Sequence, residues 1–399
     1  MLIPYKMEEL LLRFPHIGTK IFEELDCESV TVCRTLITSW KSFIDDQKFL
    51  WIRHIRTYIP KSKESLKNVL KFINIQDVKE IAGFARTAEG FLQKTSSILH
   101  FSAMTGNSNV FRAIFEKSNE KFPKDNHKRT PFHYAAEIGC FEICQNMIEN
   151  LKNKNPKDIY GFTPLHKAAK NGHLLVCQLI FQKIKGKNPK GKDGITPLHL
   201  AADNGHLAVC EMIIKKVKDK NPRSRNGTTP LHWASRNGHL SIVKLLFQNV
   251  KDTNPKSYEE MTPFNQAAKF NHFDVCQFII RNTKDMEMIN YDELITVLYT
   301  AAYQGSFRIF KLILDIIDDK NPKDEIGLTP LHLAAKKGHF SICELILENV
   351  EEKNPKTKEN NGLGRTPYEF AKSNGHPKIC QLIKNFKGKI STKRSKINT

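Results

Sequence analysis

The sequence predicts an all-α protein, most of which is built from about nine copies of one helix-turn-helix unit. Segments that begin with Thr-Pro, such as TPLHKAAKNGH at Thr163 and TPLHLAADNGH at Thr196, recur at intervals of 33 residues. An amphipathic stretch follows each segment, and in six of the repeats an Asn-Pro pair then interrupts the chain. A fixed period of this length indicates a stack of repeated supersecondary units.

Nine segments share this register. The first six lie 33 residues apart, and the last three follow after 34, 33 and 37 residues. The first and last copies are degenerate, as expected of units that cap a stack. The segments begin at Ser97, Thr130, Thr163, Thr196, Thr229, Thr262, Thr296, Thr329 and Thr366.

Each element of the unit has a physical reason. Thr is a good N-cap, and Pro at the first helical position gives up only an N–H that would be unpaired. We therefore expect a first helix from Thr163 to about Asn171, ended by Gly172. A second helix should bury one face, and the Asn-Pro pair and a following Gly should form a protruding turn. The residues of that buried face are Leu174, Cys177, Phe181 and Ile184.

The motif TPLHxAAxxGH with its period of 33 resembles the ankyrin repeat, and the resemblance covers about three quarters of the chain. It implies a solenoid from residue 97 to 383 whose turn tips and first helices line a concave binding face. Recognition residues should then lie at the tips and just after the Ala pair. They are Tyr160, Phe162, Lys170, Lys192, Arg225, Arg236, Tyr258, Lys269, Phe270, Tyr291, Tyr303, Lys336 and Lys337.

The repeated cysteines and histidines are interpreted as structural. Six Cys share a position that other units fill with Val or Phe, which is typical of a core site. Copies separated by roughly 8 to 10 Å of helix packing are too far apart for disulfides. Six His occupy the fourth position of the repeat, five of them after Thr-Pro, and the resemblance implies that they hydrogen-bond the first residue of the repeat and nearby backbone. We expect no metal, no cofactor and no catalytic residue, and so no enzyme.

Residues 1–96 do not repeat. From Phe14 to Ile55 the chain has apolar residues at helical spacing and short polar turns. This segment is similar to an F-box: Phe14-Pro15 matches the opening Leu-Pro, and Cys33, Trp40 and Leu50-Trp51 match later positions. His16 and Leu36-Ile37-Thr38 depart from the family's acidic residue and Val-Cys pair.

The F-box resemblance implies three helices over residues 1–59 that dock the Skp adaptor of a cullin-RING ubiquitin ligase. Its apolar docking surface would be formed by Phe14, Pro15, Ile17, Ile21 and Leu25. The alternative is that these helices only cap the apolar end of the stack. Residues 60–96 are expected to form a helical connector.

The net charge of +20 favours an acidic partner surface, but Lys is also a convenient solvated residue. Neither a signal peptide nor a run of 18 apolar residues is present, so we expect a cytoplasmic or nuclear protein without membrane contact. The segment 384–399 has no acidic residue and is expected to be a disordered basic tail.

The repeats that begin at Thr262 and Thr296 depart most from the motif. Glu260 replaces the turn Gly, Asn271 replaces the helix-ending Gly, and Val297 and Tyr299 replace Pro and His. Sequence drift would explain this, as would a local bend that presents Phe270, Phe273 and Tyr291.

Together these features predict a substrate receptor of a Skp-cullin-F-box ubiquitin ligase. The N-terminal module would hold the adaptor, and the repeats would capture a target protein of acidic character. A plain ankyrin scaffold or inhibitor is the alternative. Nucleic-acid binding, suggested only by the basic charge, is a third hypothesis and lacks a recognisable module.

Overall fold

The computed structural model describes residues 97–106, 108–118, 121–184, 188–283, 289–358 and 364–395. The described part is entirely helical outside its turns, with eighteen helices in nine successive pairs. The first four pairs are α1 (Ile98–Thr105) and α2 (Ser108–Lys117), α3 (Pro131–Ile138) and α4 (Phe141–Asn150), α5 (Pro164–Lys170) and α6 (Leu174–Lys183), α7 (Pro197–Asp203) and α8 (Leu207–Lys216). The next five are α9 (Pro230–Arg236) and α10 (Leu240–Asn249), α11 (Pro263–Lys269) and α12 (Phe273–Asn282), α13 (Tyr291–Gln304) and α14 (Phe307–Leu314), α15 (Pro330–Lys337) and α16 (Phe340–Asn349), α17 (Pro367–Ser373) and α18 (Pro377–Ser395).

The chain divides into two compact units, residues 1–201 and 202–399. In the described part of the first unit, α1, α3 and α5 pack side by side, and α2, α4 and α6 form a second layer. In the second unit the first helices α9, α11, α13, α15 and α17 pack in chain order, with α8, α10, α12, α14, α16 and α18 behind them. The predicted all-α fold class of stacked helical hairpins is confirmed.

The first helix of each pair follows from its motif. In α5, Thr163 is the N-cap in an extended conformation, Pro164 opens the helix, and Asn171 is the C-cap. Ala168 and Ala169 are fully buried, so the helices on either side can approach closely. Gly172 then has a φ of 76°, a left-handed conformation that Gly adopts without steric cost. The predicted limits of this helix are confirmed to within a residue.

The second helix buries Cys177, Phe181 and Ile184 as predicted, whereas Leu174, at its first position, is only half-buried. Its C-terminus has a cap that the sequence analysis missed. The Lys of the Lys-Asn-Pro motif donates from Nζ to the last carbonyls of the preceding helix, as Lys320 does to Leu314 and Ile317 at 2.6 Å each. Lys353 makes the equivalent contacts with Leu347 and Val350, and Lys154 donates to the carbonyls of Ile148 and Glu149. A cation at this end is also favoured by the helix dipole.

The protruding turns are shaped by an Asp and a Gly. Asp158 Oδ1 accepts hydrogen bonds from the backbone N–H groups of Tyr160 at 2.9 Å and Phe162 at 2.8 Å. Gly161 beside it has a φ of 72°. Neighbouring tips are joined through their backbones, because the N–H of Lys192 donates to the carbonyl of Tyr160 at 2.7 Å. The tip residues therefore form a row with fixed register.

Helix α18 runs from Pro377 to Ser395, so it extends into the segment from residue 384 that we expected to be a disordered tail. The segment has no Pro to end the helix, and Lys is a good helix former. At 19 residues α18 is the longest described helix. No helix within the described ranges has both the length and the apolar character that crossing a membrane requires.

The predictions for residues 1–96 lie outside the described residues. They are the F-box-like module over 1–59, with its docking residues Phe14, Pro15, Ile17, Ile21 and Leu25, and the connector over 60–96.

Adjacent repeats are joined by a Gly and a His. Gly238 ends one first helix with a φ of 71°, and His272 of the next repeat lies against it. The imidazole Nε2 of His272 donates to the carbonyl of Arg236 at 2.8 Å and so caps the preceding helix. A Cβ on Gly238 would lie 2.3 Å from Nδ1 of His272. The same contact recurs at Gly139 with His173, Gly205 with His239, Gly305 with His339, and Gly338 with His376.

This joint explains one departure in the sequence. Asn271 occupies the Gly position with a φ of 61°, and the register places Ser306 where the facing His would lie. A small side chain on one side of the joint leaves room for a Cβ on the other. The two replacements therefore compensate each other.

We expect Gly238→Ala to destabilise the protein by roughly 3 kcal/mol, because backbone strain is added to displacement of a hydrogen-bonded imidazole. Gly375 is the matched control, since it has a φ of 75° but no atom within 4 Å of the added Cβ. Gly375→Ala should cost only about 1 kcal/mol. Urea unfolding followed by circular dichroism measures both.

A double variant, Gly238→Ala with His272→Ala, isolates the contact. It should be at least as stable as Gly238→Ala alone, because the clash is gone. Equal losses for Gly238→Ala and Gly375→Ala would show that the close approach to His272 contributes nothing.

Candidate partner-binding surface

The predicted recognition residues lie on two edges of the repeats, namely the turn tips and the C-terminal ends of the first helices. Twelve of the thirteen are exposed, with Tyr258 at 74%, Tyr160 at 54% and Tyr291 at 51%. The twelve are Tyr160, Lys170, Lys192, Arg225, Arg236, Tyr258, Lys269, Phe270, Tyr291, Tyr303, Lys336 and Lys337.

Phe162 differs from the other twelve. Its ring is half-buried, 5.1 Å from the His166 ring, and a Cβ on Gly191 would lie 2.7 Å from it. The Phe162 side chain therefore packs one tip against the next. The prediction treated it as a tip residue because only its position along the repeat was considered.

Two exposed rings in the second unit are paired with cations from a neighbouring repeat. The Arg236 guanidinium lies 4.9 Å from the centre of the Phe270 ring, and the Lys337 ammonium lies 4.3 Å from that of Tyr303. A hydrogen bond from Lys337, together with its charge, lowers the pKa of the Tyr303 hydroxyl. Both pairs join residues 34 positions apart, at the C-terminal ends of adjacent first helices. Cation–π pairs hold the rings in place while leaving one face open.

Several exposed apolar residues were missed. Ile326 at one tip is 58% exposed, Leu175 at the start of α6 is 65% exposed, and Ile138 and Ile159 are also exposed. Ile326 lies beside the turn Gly of its own repeat. Comparison with Tyr160 and Lys192 in other repeats would have indicated that it is a tip residue.

The histidines after Thr-Pro hold the first helices of successive repeats together. In His232, Nδ1 accepts the backbone N–H of Thr229 at 3.1 Å, and Nε2 lies 2.9 Å from the carbonyl of Met261 in the next repeat. A carbonyl can only accept, so Nε2 carries the proton. The same network is formed by His100, His133, His166 and His332. His199 Nδ1 likewise accepts the backbone N–H of Thr196.

Where the His is replaced, other groups make part of the network. The Tyr299 hydroxyl lies 2.8 Å from the carbonyl of Leu328, which has the same position in the next repeat as the acceptor of a histidine. Asn265 is too short to reach that far. In its repeat the carboxylate of Glu293 reaches back to Thr262 Oγ1 and, at 2.9 Å, to Asn254 Nδ2.

The buried histidines and cysteines of the described repeats are held in their uncharged forms. Burial lowers the pKa of His133 to about 3 and those of His166 and His232 to about 4, so these rings are neutral at physiological pH. Burial raises the pKa values of Cys177, Cys210, Cys276 and Cys343 to about 12, which keeps these thiols protonated. The seven cysteines of the described ranges are free, and no group of three or more metal-ligating side chains is found there.

The histidine network predicts acid sensitivity. In the unfolded chain an imidazole has a pKa of about 6.5, so it binds a proton as the pH falls, whereas folded His232 does not until about pH 4. Stability is thus fully present above pH 6.5 and is lost as the pH falls towards 4. Between pH 8 and pH 5, His232 alone should account for ~2 kcal/mol.

Urea unfolding of the native protein and of His232→Gln at the two pH values measures this contribution. The variant should be less stable at pH 8, but its further loss on going to pH 5 should be smaller by ~2 kcal/mol. The same pH dependence in both proteins would mean that folded His232 is protonated normally.

Comparison with known proteins agrees with the geometry. The family model described as ankyrin repeats (3 copies) matches residues 67–158, 99–193, 140–224, 165–257, 198–292 and 298–394, while a search of curated proteins finds no match. The first match begins inside the segment that we predicted to be a connector. The matched ranges together cover more than half of the chain, and they contain the Thr-Pro helices, the His joints and the tips described above. The chain therefore belongs to the ankyrin-repeat family, whose repeats form protein-binding scaffolds.

Proposed function

We propose that this protein is a substrate receptor of a Skp-cullin-F-box ubiquitin ligase. The N-terminal segment would bind a Skp-type adaptor, and the ankyrin repeats would capture the protein to be modified. Holding the target near the conjugating enzyme raises the effective concentration of its lysines, so the chain itself makes and breaks no bonds. The cytoplasm and the nucleus both suit this role.

The observation that carries the target-binding half is the set of exposed rings beside cations. Tyr258, Phe270 and Tyr303 lie on first-helix ends and tips together with Arg236 and Lys337. Tyr and Arg are the residue types that contribute most at protein interfaces. The basic residues among them favour an acidic target surface.

The adaptor-binding half rests on the sequence. Phe14, Pro15, Ile17, Ile21 and Leu25 match the F-box pattern and would present an apolar helix face to a groove in the adaptor. In this proposal the F-box-like module spans residues 1–59, a connector spans 60–96, and the repeats follow.

A plain ankyrin scaffold or inhibitor is the second candidate. The matched family covers residues 67–394 apart from a short gap, and it leaves residues 1–66 unassigned. If those residues only cap the stack, the repeats still bind a partner and no ligase is involved. Nucleic-acid binding has less support, because the sequence has no recognisable nucleic-acid-binding module and three of the lysines, Lys154, Lys320 and Lys353, are used as helix caps.

The adaptor proposal is tested by capture of a recombinant Skp-type adaptor on the immobilised full-length protein. We expect retention, and we expect Leu25→Asp and Ile21→Asp to abolish it because a buried charge at an apolar interface is costly. Phe340→Ala, an exposed position on α16, serves as the control. Failure of the folded native chain to retain the adaptor would leave the scaffold as the better proposal.

Target binding is tested by proximity labelling in cells, followed by capture of the labelled partner. Tyr258→Ala or Phe270→Ala should weaken capture by ~2 kcal/mol, or roughly 30-fold in affinity, without lowering the melting temperature. Phe340→Ala should change neither quantity. Undiminished capture by both tip and helix-end variants would place the partner elsewhere.

A further inference from the structure

Helix α13 differs from the other described first helices. It has 14 residues, whereas the others have seven or eight. Its added turns replace the protruding turn, and Asn290 caps its start by accepting the N–H of Glu293 at 2.8 Å. Two contacts fix it between its neighbours: Glu293 bonds to Asn254 in the preceding repeat, and Tyr299 bonds to the backbone at Leu328 in the following one.

One stripe that faces solvent runs along this helix. Asp292, Thr296, Thr300 and Tyr303 follow at spacings of three or four residues, so they share a face, and all are exposed except the half-buried Thr300. The two Thr hydroxyls donate at 2.8 Å to carbonyls of their own helix, and this leaves their methyl groups outward. The stripe therefore has an exposed aromatic residue at each end. Tyr303 lies at one end, and Tyr291, which is 51% exposed, lies beside Asp292 at the other.

The N-terminal end of the stripe is acidic. Exposed carboxylates come from α13 itself, from the preceding tip and from the two segments that follow α14. These carboxylates affect Tyr291: partial burial, together with the charges of Asp319 and Asp318, raises the pKa of its hydroxyl. The exposed basic residues among these segments are Lys256 and Lys323, and each is paired with a carboxylate. The acidic residues are Glu259, Glu260, Asp292, Asp318, Asp319, Asp324 and Glu325.

The C-terminal end of the stripe is basic. Lys336 and Lys337 of α15 lie beside Tyr303, and Lys269 and Arg236 end the two preceding first helices. The two ends are about 20 Å apart along a helix of this length. This exceeds the Debye length of about 8 Å at physiological ionic strength, so a ligand meets two separate fields of opposite sign.

We propose that α13 is the centre of a bipolar docking surface whose occupant is an extended polypeptide segment, basic where it lies over Asp292 and acidic where it lies over Tyr303 and Lys337. This inference rests on the proposed function, because it names the chemistry of the segment that the repeats capture. About six extended residues span the stripe. A uniformly charged ligand, such as a nucleic acid, would be attracted at one end and repelled at the other.

The test uses the full-length protein and fluorescent synthetic peptides in an anisotropy titration. One peptide has an acidic block and a basic block around a tyrosine, a second has the same composition with alternating charges, and a third is wholly acidic. The block peptide should bind ~10-fold more tightly than the other two, and its affinity should fall as salt is added. A single-stranded oligonucleotide is the fourth probe and should bind more weakly than the block peptide.

Charge reversal at each end gives the decisive comparison. Asp292→Lys and Lys337→Glu should each weaken the block peptide ~5- to 10-fold, and Asp292→Lys should strengthen the wholly acidic one. Lys311→Glu, at an exposed position on α14, is the matched control and should change neither affinity. Melting temperatures check that each variant is folded.

Three results would overturn the proposal: equal binding of the block and alternating peptides, tighter binding of the acidic peptide or the oligonucleotide, or no effect of Asp292→Lys on the block peptide. Adaptor capture is measured separately on the native protein. Its failure there would refute the ligase role while leaving the bipolar surface standing. If neither charge reversal changes the capture of the labelled target, the bipolar surface is refuted and the ligase role still stands.

Discussion

The hydrogen bond from a buried histidine to the carbonyl of the next repeat is the interaction on which the rest of the structure depends. No repeat can bury its own apolar face, so the stack is stable only if neighbours keep a fixed register. The imidazole provides that register because it joins three groups at once: the N–H and hydroxyl of the Thr that caps its own helix, and a carbonyl 29 residues further on. Once the first helices are fixed in this way, their C-terminal ends and the tips before them form the surface described above.

Much of this arrangement could be predicted from the sequence, because period and motif report directly on packing. The Thr-Pro start, the helix-ending Gly and the buried face of the second helix were each correct in α5 and α6. The role of the repeated His at the Thr was expected, but its reach into the next repeat could not be read from one copy of the motif. That contact depends on how closely two repeats stack, and the sequence pattern does not give the distance between stacked helices.

The remaining differences have physical reasons as well. The Lys before Asn-Pro looked like a solvated residue, since a cap formed by a long side chain leaves no local spacing signal. Phe162 looked like a tip residue until the close approach of Gly191 showed where its ring packs. Asn271 was attributed to drift or to a local bend, yet the register places it opposite Ser306 as one side of a joint. The extended start of α13 was not predicted, because this part of the sequence lacks the Asn-Pro pair that precedes the turn in other repeats.

The position of the joints also determines where the chain tolerates a change in length. The interval between Thr262 and Thr296 has one extra residue and that between Thr329 and Thr366 has four, and both additions fall between a second helix and the following Thr. Each histidine still meets a carbonyl just before the next Thr, as His332 does at Arg365 despite the longer interval. Insertions are thereby absorbed between a second helix and the next first helix, and the spacing of the stacked helices is unchanged. A family built on this joint can diversify its contacts one loop at a time without rebuilding its core.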